Sequence, residues 1–267
     1  MTIKTTGDLK AGLGDKSRFV NEVELALQSN EIDLAVHSAK DLPSQLARGL
    51  TIAAVPRRAA AHDVCVGKVT ALGDLPAGAR IGTSSLRRRS QLLAMRPDLE
   101  IEELRGNVDT RLTKLAAGSY DAVVLAAAGL IRLDLESRIG FAFNAELMVP
   151  AAGQGALVIE ARSSDGAAQK LAAVLTDPRA AAELEAERTV VRALDATCHT
   201  PIGIHAHHVA DRLIVQAYLG LPDGSEWIRD SVEGSPATPS ELGHGLTERL
   251  LSVGAKDLLF RAERAAL

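Results

Sequence analysis

Short apolar segments alternate with amphipathic segments along most of this chain. Runs typical of buried strands occur at 32–37, 51–55, 79–82, 101–104, 122–127 and 156–161. Apolar residues recur with the helical period at 19–28, 86–95 and 108–117, and a further helix is predicted to begin at residue 130. This alternation predicts an α/β fold with mostly parallel sheets that are covered by helices on both faces.

The pattern changes after residue 177. The segments that follow are a long helix at 180–194, strands at 204–209 and 213–219, a Pro-Asp-Gly turn at 222–224 and a last helix from residue 240. This order predicts a smaller α+β unit at the C-terminal end, after two sheet domains.

Composition narrows the possible classes of function. The chain has 267 residues, of which 46% are hydrophobic and 24% charged, as in an ordinary soluble enzyme. Aromatic residues make up only 3% and the formal net charge is −4, which argues against a nucleic-acid surface. The longest apolar run, 122–131, is too short to span a bilayer, and residues 1–4 do not begin a signal peptide. We therefore predict a cytoplasmic protein with neither a membrane nor a nucleic acid as partner.

One segment concentrates positive charge. Five arginines and no acidic residue fall between 80 and 96, namely Arg80, Arg87, Arg88, Arg89 and Arg96. A short strand and a Gly-Thr-Ser-Ser turn lead into a helix whose first turn carries three of them. Because a helix N-terminus has unpaired N–H groups and a partial positive charge, arginines there favour binding of carboxylates or phosphates. An arginine triplet by itself is more often a solvated basic face, but the hydroxyl-rich turn favours an anion site.

Three further segments could carry chemistry. Lys40 and Asp41 follow a predicted strand end, where open α/β sheets bind ligands, although a loop ion pair explains them equally well. Arg105 and Arg111 repeat the order of strand end, turn and helix start. Cys198 lies in a tight Thr/Pro/Gly loop and could carry a covalent group, although a single cysteine is more often an inert filler. Cys65, between two valines, is typical of such an inert residue.

The sequence disfavours both a metal site and a nucleotide site. His199, His205, His207 and His208 are close in sequence, but no cysteine or carboxylate cluster completes a set of four ligands. The segment 153–155, Gly-Gln-Gly, is too short for a dinucleotide loop, and there is no Walker-type loop. We therefore predict no metal.

Taken together, these segments resemble the porphobilinogen deaminase (hydroxymethylbilane synthase) family. The matching stretches are 35–43, 82–88, 105–111, 126–130, 150–156 and Cys198 with 201–203. Their order and spacing cover nearly the whole chain. The resemblance implies two domains like type II periplasmic binding proteins and a C-terminal domain that holds the cysteine. The domains predicted on this basis are residues 1–56 with 152–176, residues 57–151, and residues 177–267.

The resemblance also implies a reaction. Members of the family are transferases that join four porphobilinogen molecules head to tail into hydroxymethylbilane, with loss of ammonia at each step. Growth starts from a dipyrromethane cofactor, attached through a thioether to the cysteine that matches Cys198. The resemblance implies a monomer without metal or nucleotide. Because each pyrrole carries an acetate and a propionate, the growing product is a polyanion, which suits a cleft rich in arginine.

Residue roles carry over from the family by motif position. Asp41 matches the catalytic aspartate, which would stabilise the positive charge that develops when ammonia leaves and could relay protons. The residues implied to bind the cofactor are Cys198, Lys40, Ser38, Thr83, Ser85, Arg87, Arg88, Arg105 and Gly106. The residues implied to bind the substrate are Arg111, Arg132 and Lys16.

The sequence departs from the family pattern in two places. Family members usually begin with a strand and a helix that precede the segment at Thr2, so we expect the first domain to be incomplete at its N-terminus. A misassigned start, a truncation and a genuine loss would each explain this. Two glycines commonly precede the cofactor cysteine, where this chain has Ala196 and Thr197. A positive φ at the second position would strain threonine.

Two other functions stay open at this point. A binding protein with the same cleft would hold an anionic solute without catalysis, although Cys198 and Asp41 would then have no purpose. An inactive, N-terminally truncated copy of the enzyme is the second alternative.

Overall fold

The computed structural model describes residues 16–196 and 200–265. Cys198 and its two neighbours, the side chain of Lys16 and the segment before it lie outside the described residues, so the predictions made for them stay predictions. The helices are α1 (Lys16–Gln28), α2 (Leu86–Met95), α3 (Val108–Ala116), α4 (Ala127–Ile131), α5 (Gly166–Ala173), α6 (Pro178–Ala193), α7 (Pro239–Ser252) and α8 (Ala255–Ala265).

The strands within the described residues form three separate sheets. They are β1 (Leu34–Ser38), β2 (Leu50–Ala54), β3 (Asp63–Gly67), β4 (Arg80–Gly82), β5 (Glu100–Glu102), β6 (Ala122–Ala126), β7 (Phe141–Ala142), β8 (Leu157–Arg162), β9 (Ile202–Val209), β10 (Arg212–Gly220) and β11 (Trp227–Gly234). A short 3-10 turn, Ala39–Asp41, continues directly from β1.

The first sheet has the described strand order β1-β8-β2, with both pairs antiparallel. Val36 lies opposite Ile159, and Thr51 lies opposite Ala161. Its core combines Val20 of α1 and Val158 of β8 with Leu184 of α6. The helix that precedes Cys198 therefore packs against the sheet that carries Asp41.

The second sheet has the order β5-β4-β6-β3-β7 and is covered on both faces. Ile81 packs with Leu92 of α2 on one face, and Val123 packs with Leu112 of α3 on the other. Strand β4 is parallel to β5 and β6, whereas β3 is antiparallel to β6 and β7. The chain enters this sheet through residues 55–62 and leaves it through 143–156, two segments called the crossovers below.

The third sheet, β11-β10-β9, is antiparallel throughout. Its buried residues include Ile204 and Val215, which pack with Leu246 of α7 and Leu258 of α8. This is the α+β unit expected after residue 177.

The α/β class with a smaller C-terminal α+β unit is confirmed. The described strands pair in a mixed pattern rather than in mostly parallel sheets, because β8 returns from the second sheet and runs against β1 and β2. Strand β3 likewise enters from a crossover and runs against β6. The predicted domain boundaries stay a prediction that is consistent with this strand membership.

Candidate active site

Two of the predicted arginines meet a buried carboxylate. Ser85 caps α2, so Arg87 and Arg88 lie in its first turn. Arg87 Nη1 donates to Asp63 Oδ2 at 2.7 Å, and Arg88 Nη2 lies 2.8 Å from Asp63 Oδ1. No side chain of the three is more than 7% exposed. A solvated basic face, the alternative for this arginine triplet, is therefore wrong for Arg87 and Arg88.

The charge of this cluster is unbalanced. Burial alone raises the pKa of Asp63, but the charges of Arg87 and Arg88 outweigh that effect and hold the pKa well below its usual range. One ionised carboxylate thus faces two guanidinium groups. Burial and the charge of Arg88 both lower the pKa of Arg111, so a third guanidinium lies within electrostatic range. Because uncompensated charge is costly in a protein interior, the cluster favours an anionic ligand.

The start of α3 holds Arg111 but not Arg105. The predicted N-cap, Asn107, accepts a hydrogen bond from Thr110 N at 2.9 Å. Gly106 has a φ of +118°, and its carbonyl accepts a hydrogen bond from Arg111 Nε at 2.8 Å. Arg105 instead pairs with Glu103 at 2.6 Å and is 65% exposed. The structure therefore brings Arg111 towards the cluster and places Arg105 at the surface.

The hydroxyl groups of the 83–85 turn support the backbone that presents the arginines. Thr83 is buried, and its hydroxyl accepts a hydrogen bond from Ser85 N at 3.2 Å. Ser84 Oγ donates to the carbonyl of Leu104 at 2.6 Å, and Ser85 Oγ accepts from Arg88 N at 3.4 Å. Thr83 and Ser85 therefore stabilise the backbone of the turn and the start of α2. Their contact with a cofactor stays a prediction.

The turn that carries Asp41 is held from several sides. Ser38 ends β1, and the half-buried residues Lys40 and Asp41 follow in the 3-10 turn. The backbone N–H of Ala39 donates to the carbonyl of Ala156 at 3.0 Å. Just beyond the turn, Arg188 of α6 donates to the carbonyls at positions 43 and 44, both at 3.0 Å.

The segment 153–155 joins the Asp41 turn to the arginine cluster. Gly153 has a φ of +70°, and a Cβ there would lie 2.8 Å from Ala39 and from Lys40 N, so the two backbones are in close contact. Gln154 Nε2 donates to Asp63 Oδ1 at 3.0 Å. The carbonyl of Gly155 accepts from Arg132 Nη2 at 3.1 Å. Three consecutive residues therefore link the Asp41 turn, the arginine cluster and Arg132.

Both crossovers are fixed to α6 through Glu187. Arg58, in the first crossover, donates to Glu187 at 2.7 Å and to the carbonyl of Gln154 at 3.0 Å. Glu187 also accepts hydrogen bonds from Gly153 N at 2.6 Å and Ala206 N at 2.7 Å. Burial raises the pKa of Glu187, but Arg58 and His205 outweigh it and lower the pKa overall. The helix that leads towards Cys198 is therefore connected to both segments that join the two sheets.

Asp63, Gln154 and Glu187 were not singled out as functional from the sequence. Only Gln154 carried a local signal, since it lies between two glycines within a stretch that matches the family. Asp63 and Glu187 act through partners that are distant along the chain, such as Arg87 and Arg58.

The histidines do have carboxylate neighbours that sequence spacing could not reveal. His205 Nδ1 lies 3.4 Å from Glu187, and His208 Nδ1 lies 3.0 Å from Glu183. Within residues 16–196 and 200–265, no group of three or more His, Cys, Asp or Glu side chains is placed to hold a metal ion. In the same part of the chain, no helix is long and apolar enough to cross a membrane.

Known proteins match this chain over nearly its full length. The family model of the porphobilinogen deaminase dipyromethane cofactor binding domain matches residues 1–170, and that of the porphobilinogen deaminase C-terminal domain matches residues 181–252. The porphobilinogen deaminase of Thermus thermophilus is 48% identical over 260 residues, which cover 97% of this chain and 86% of the relative. That of Syntrophobacter fumaroxidans is 44% identical over 269 residues, which cover 98% and 87%. The chain belongs to the porphobilinogen deaminase family.

Solved structures add little to this assignment. A TRAP periplasmic solute binding protein from Desulfovibrio salexigens overlaps 59% of this chain and 58% of its own, at 10% identity and a TM-score of 0.38. A likeness at this level carries no argument about the chain.

The donor set of this porphobilinogen deaminase family member fits the cofactor named by the family model. A dipyrromethane made from porphobilinogen carries acetate and propionate groups and pyrrole N–H groups. Arg87 and Arg88 share one carboxylate and also donate to the carbonyls of Val149 and Val124, and Arg111 lies within electrostatic range of Arg88. The described cluster thus has an excess of positive charge, which is the sign that carboxylate groups require. Guanidinium groups form bidentate, charge-assisted hydrogen bonds with carboxylates.

Proposed function

We propose that this chain condenses four porphobilinogen molecules head to tail into hydroxymethylbilane, with release of ammonia, on a dipyrromethane group held by Cys198. The observation that carries the proposal is the buried cluster in which two guanidinium groups share one carboxylate, in a chain that belongs to this family. The monomeric state, the cytoplasmic location and the predicted domain boundaries belong to the same proposal, and the family resemblance supports them.

The arginines supply binding rather than chemistry. Arg87, Arg88 and Arg111 would hold the carboxylates of the cofactor, and Arg132 would reach the substrate from the far end of the 153–155 segment. Lys40 and Ser38 lie on the Asp41 side of the same segment. The bound dipyrromethane supplies a free pyrrole carbon as the site of attachment for the first substrate.

Asp41 is the catalytic residue of this proposal. Breaking the bond to the amine leaves positive charge on the substrate ring, and a carboxylate in hydrogen-bonding range of the pyrrole N–H stabilises that charge. The new carbon–carbon bond then displaces a proton from the attacked ring, and Asp41 can pass this proton towards the leaving ammonia. The backbone of the short turn after β1 is packed against Gly153 and bonded to Ala156, and this supports a fixed position for Asp41 in both tasks.

Intact-mass measurement of the purified protein tests the cofactor. We expect a mass above that of the sequence by two linked pyrrole units, and no excess in Cys198→Ser. Cys65→Ser is the matched control, because burial raises the pKa of the Cys65 thiol to about 12 and keeps it inert. An unmodified wild-type mass, from cells that make porphobilinogen, would favour anion binding without catalysis or an inactive copy.

A turnover assay tests Asp41. The variant Asp41→Ala should keep the mass excess but lose activity by a factor on the order of 10²–10³, as for other preorganised electrostatic groups. Retention of most of the wild-type rate would remove Asp41 from the mechanism.

A further inference from the structure

Four ionisable side chains from four different elements meet beneath the first sheet. They are Glu24 of α1, His37 of β1, Glu160 of β8 and Arg188 of α6, all buried. His37 Nε2 lies 3.1 Å from Glu160 Oε2, and these two side chains are 2% and 0% exposed. Arg188 and Glu24 are both within electrostatic range of Glu160. We call these four residues the sub-sheet cluster.

The reaction proposed above does not use the sub-sheet cluster. Burial of the four side chains of this cluster has a cost in folding free energy. Taking ionisable groups out of water has a large desolvation cost, and apolar residues of similar size are often as stable in a protein interior. Burial raises the pKa of Glu24, and the charge of Glu160 adds to this. Among the described residues, His37 Nε2 and both Glu160 carboxylate oxygens lack a hydrogen bond of good geometry. General stability alone therefore gives little reason for four ionisable groups at this place.

The contacts of the sub-sheet cluster all lead to the segment around Asp41. His37 is in β1, one residue before the strand ends at Ser38. Arg188 donates to the carbonyls of Pro43 and Ser44, both at 3.0 Å. Glu24 Oε1 accepts a hydrogen bond from Ala47 N at 3.3 Å. The cluster thus holds the chain immediately before Asp41 and at two places after it.

We propose that the sub-sheet cluster positions Asp41, by locking residues 37–47 to β8 and to α6, the helix that precedes Cys198. Glu160 is its centre, because it lies 3.1 Å from His37 and within electrostatic range of both Glu24 and Arg188. The charges of Arg192 and Glu185 act on Arg188 more strongly than that of Glu160. All four members are positioning residues, and the inference rests on the proposed function only for its effect on turnover. The hydrogen bonds that Arg188 and Glu24 make to the segment fix direction as well as distance, which apolar contacts do not.

Glu160→Gln tests the inference with little change in size. It removes the charge that faces His37 and Arg188, so the 37–47 segment should loosen. Hydrogen–deuterium exchange should rise by at least tenfold at the amides of 39–47, and kcat should fall by about 10- to 100-fold, as for small misplacements of catalytic groups. KM should stay within about twofold and the mass excess should be kept, because the arginine cluster is untouched. The control is Glu233→Gln, because Glu233 lies 3.4 Å from Arg212 in an exposed pair. This variant should change neither hydrogen exchange at 39–47 nor kcat.

A double variant separates positioning from plain stability. Replacing the pair with apolar residues, His37→Leu with Glu160→Leu, should restore much of the stability lost in Glu160→Gln. Turnover should stay low if the cluster positions Asp41, whereas recovery of turnover together with stability would overturn the inference. Unchanged exchange at 39–47 in Glu160→Gln would overturn it as well. A wild-type protein without deaminase activity would refute the proposed function, and the exchange comparison would still decide whether the cluster locks the segment.

Discussion

Asp63→Asn removes the single carboxylate of the arginine cluster while keeping its shape. In the folded protein the Asp63 carboxylate accepts two hydrogen bonds from Arg87, at 2.7 and 3.3 Å. It accepts one more from Arg88 at 2.9 Å and one from Gln154 at 3.0 Å. An asparagine keeps one acceptor oxygen, but its amide group would direct N–H donors at guanidinium donors. Two positive charges would then be buried with no counter-charge from this position.

The structure sets the size of the loss. All three charged side chains are nearly inaccessible to solvent, so water cannot take over the role of the carboxylate. Breaking a buried ion pair by removing one partner typically costs about 3–5 kcal/mol, and here one partner serves two cations. We expect Asp63→Asn to lower the free energy of unfolding by about 3–5 kcal/mol.

Urea unfolding followed by circular dichroism measures this change. Asp98→Asn is the matched control, because Asp98 also accepts two bonds from one arginine, Arg96, both at 2.7 Å. Asp98 is exposed and Arg96 is only half-buried, so the loss of this pair should have a smaller effect. Equal effects of the two substitutions would refute the reasoning, since burial would then not decide the energetic role of Asp63.

The pH dependence gives a second test of the same residue. The pKa of Asp63 in the folded protein lies well below its usual range, so the unfolded chain binds the proton more readily. The stabilisation is therefore complete above the unfolded pKa of about 3.9 and is lost as the pH falls below it. The stability difference between the wild type and Asp63→Asn should be constant above about pH 5 and should narrow below about pH 4. A difference that widens on acidification would contradict this assignment.

Two further substitutions test the segments that join the sheets. Gly153→Ala should cost about 2 kcal/mol or more and lower turnover, because the position has a φ of +70° and the new Cβ would lie 2.8 Å from the Ala39 backbone. Gly166→Ala, which would meet no atom within 4 Å, should be neutral or slightly stabilising in the same urea assay. Glu187→Gln should cost about 3 kcal/mol and raise hydrogen exchange in both crossovers, because Arg58 loses its main counter-charge. Glu183→Gln, 3.4 Å from the same guanidinium and partly exposed, should cost clearly less, and equal losses would contradict the role given to Glu187.

The starts of two helices that have a capping residue were predicted correctly from the sequence. The predicted bounds of α2, 86–95, are confirmed, because Ser85 caps its start and Arg96 and Pro97 follow its end. The capped start of α3 at Val108 is confirmed for the same reason. These signals depend on neighbouring residues only, so they can be read without knowledge of the fold.

Three strands were not predicted, because their patterns are weak or short. Strand β7 has only two residues, Phe141 and Ala142. Strand β3 begins with Asp63, a charged residue that is buried only because distant arginines pair with it. Strand β11 lies at a sheet edge and has few apolar residues, Ile228 and Val232 on its partly buried face, with Asp230 between them paired to Arg249. Its polar character reflects an edge that is packed on one side only. The antiparallel pairing of β1 with β8 is also invisible locally, since more than a hundred residues separate them.

The difference between local signals and long-range contacts also explains which parts of the candidate site were predicted. Sequence patterns located Arg87 and Arg88, which lie next to a cap and a turn, but not the carboxylate that holds them. The acid-free stretch from 80 to 96 predicts an anion site but contains no counter-charge, and the structure supplies one from Asp63 of β3. The functional assignment of Cys198 and Lys16 lies outside the described residues and rests on the family pattern.

The arginine cluster has two guanidinium groups for one carboxylate, and this ratio explains how a positively charged site can exist in an acidic protein. Without Asp63, two guanidinium groups at this depth would repel each other and lower the stability of the fold. With a second carboxylate, the cluster would be neutral and would have little attraction for a polyanion. One carboxylate for two cations holds the arginines in place. Under the proposed function, the excess positive charge would attract a carboxylate of the ligand. The net charge of −4 is therefore compatible with the proposed anion site, since the local charge balance is set by Asp63, Arg87 and Arg88 rather than by the whole chain.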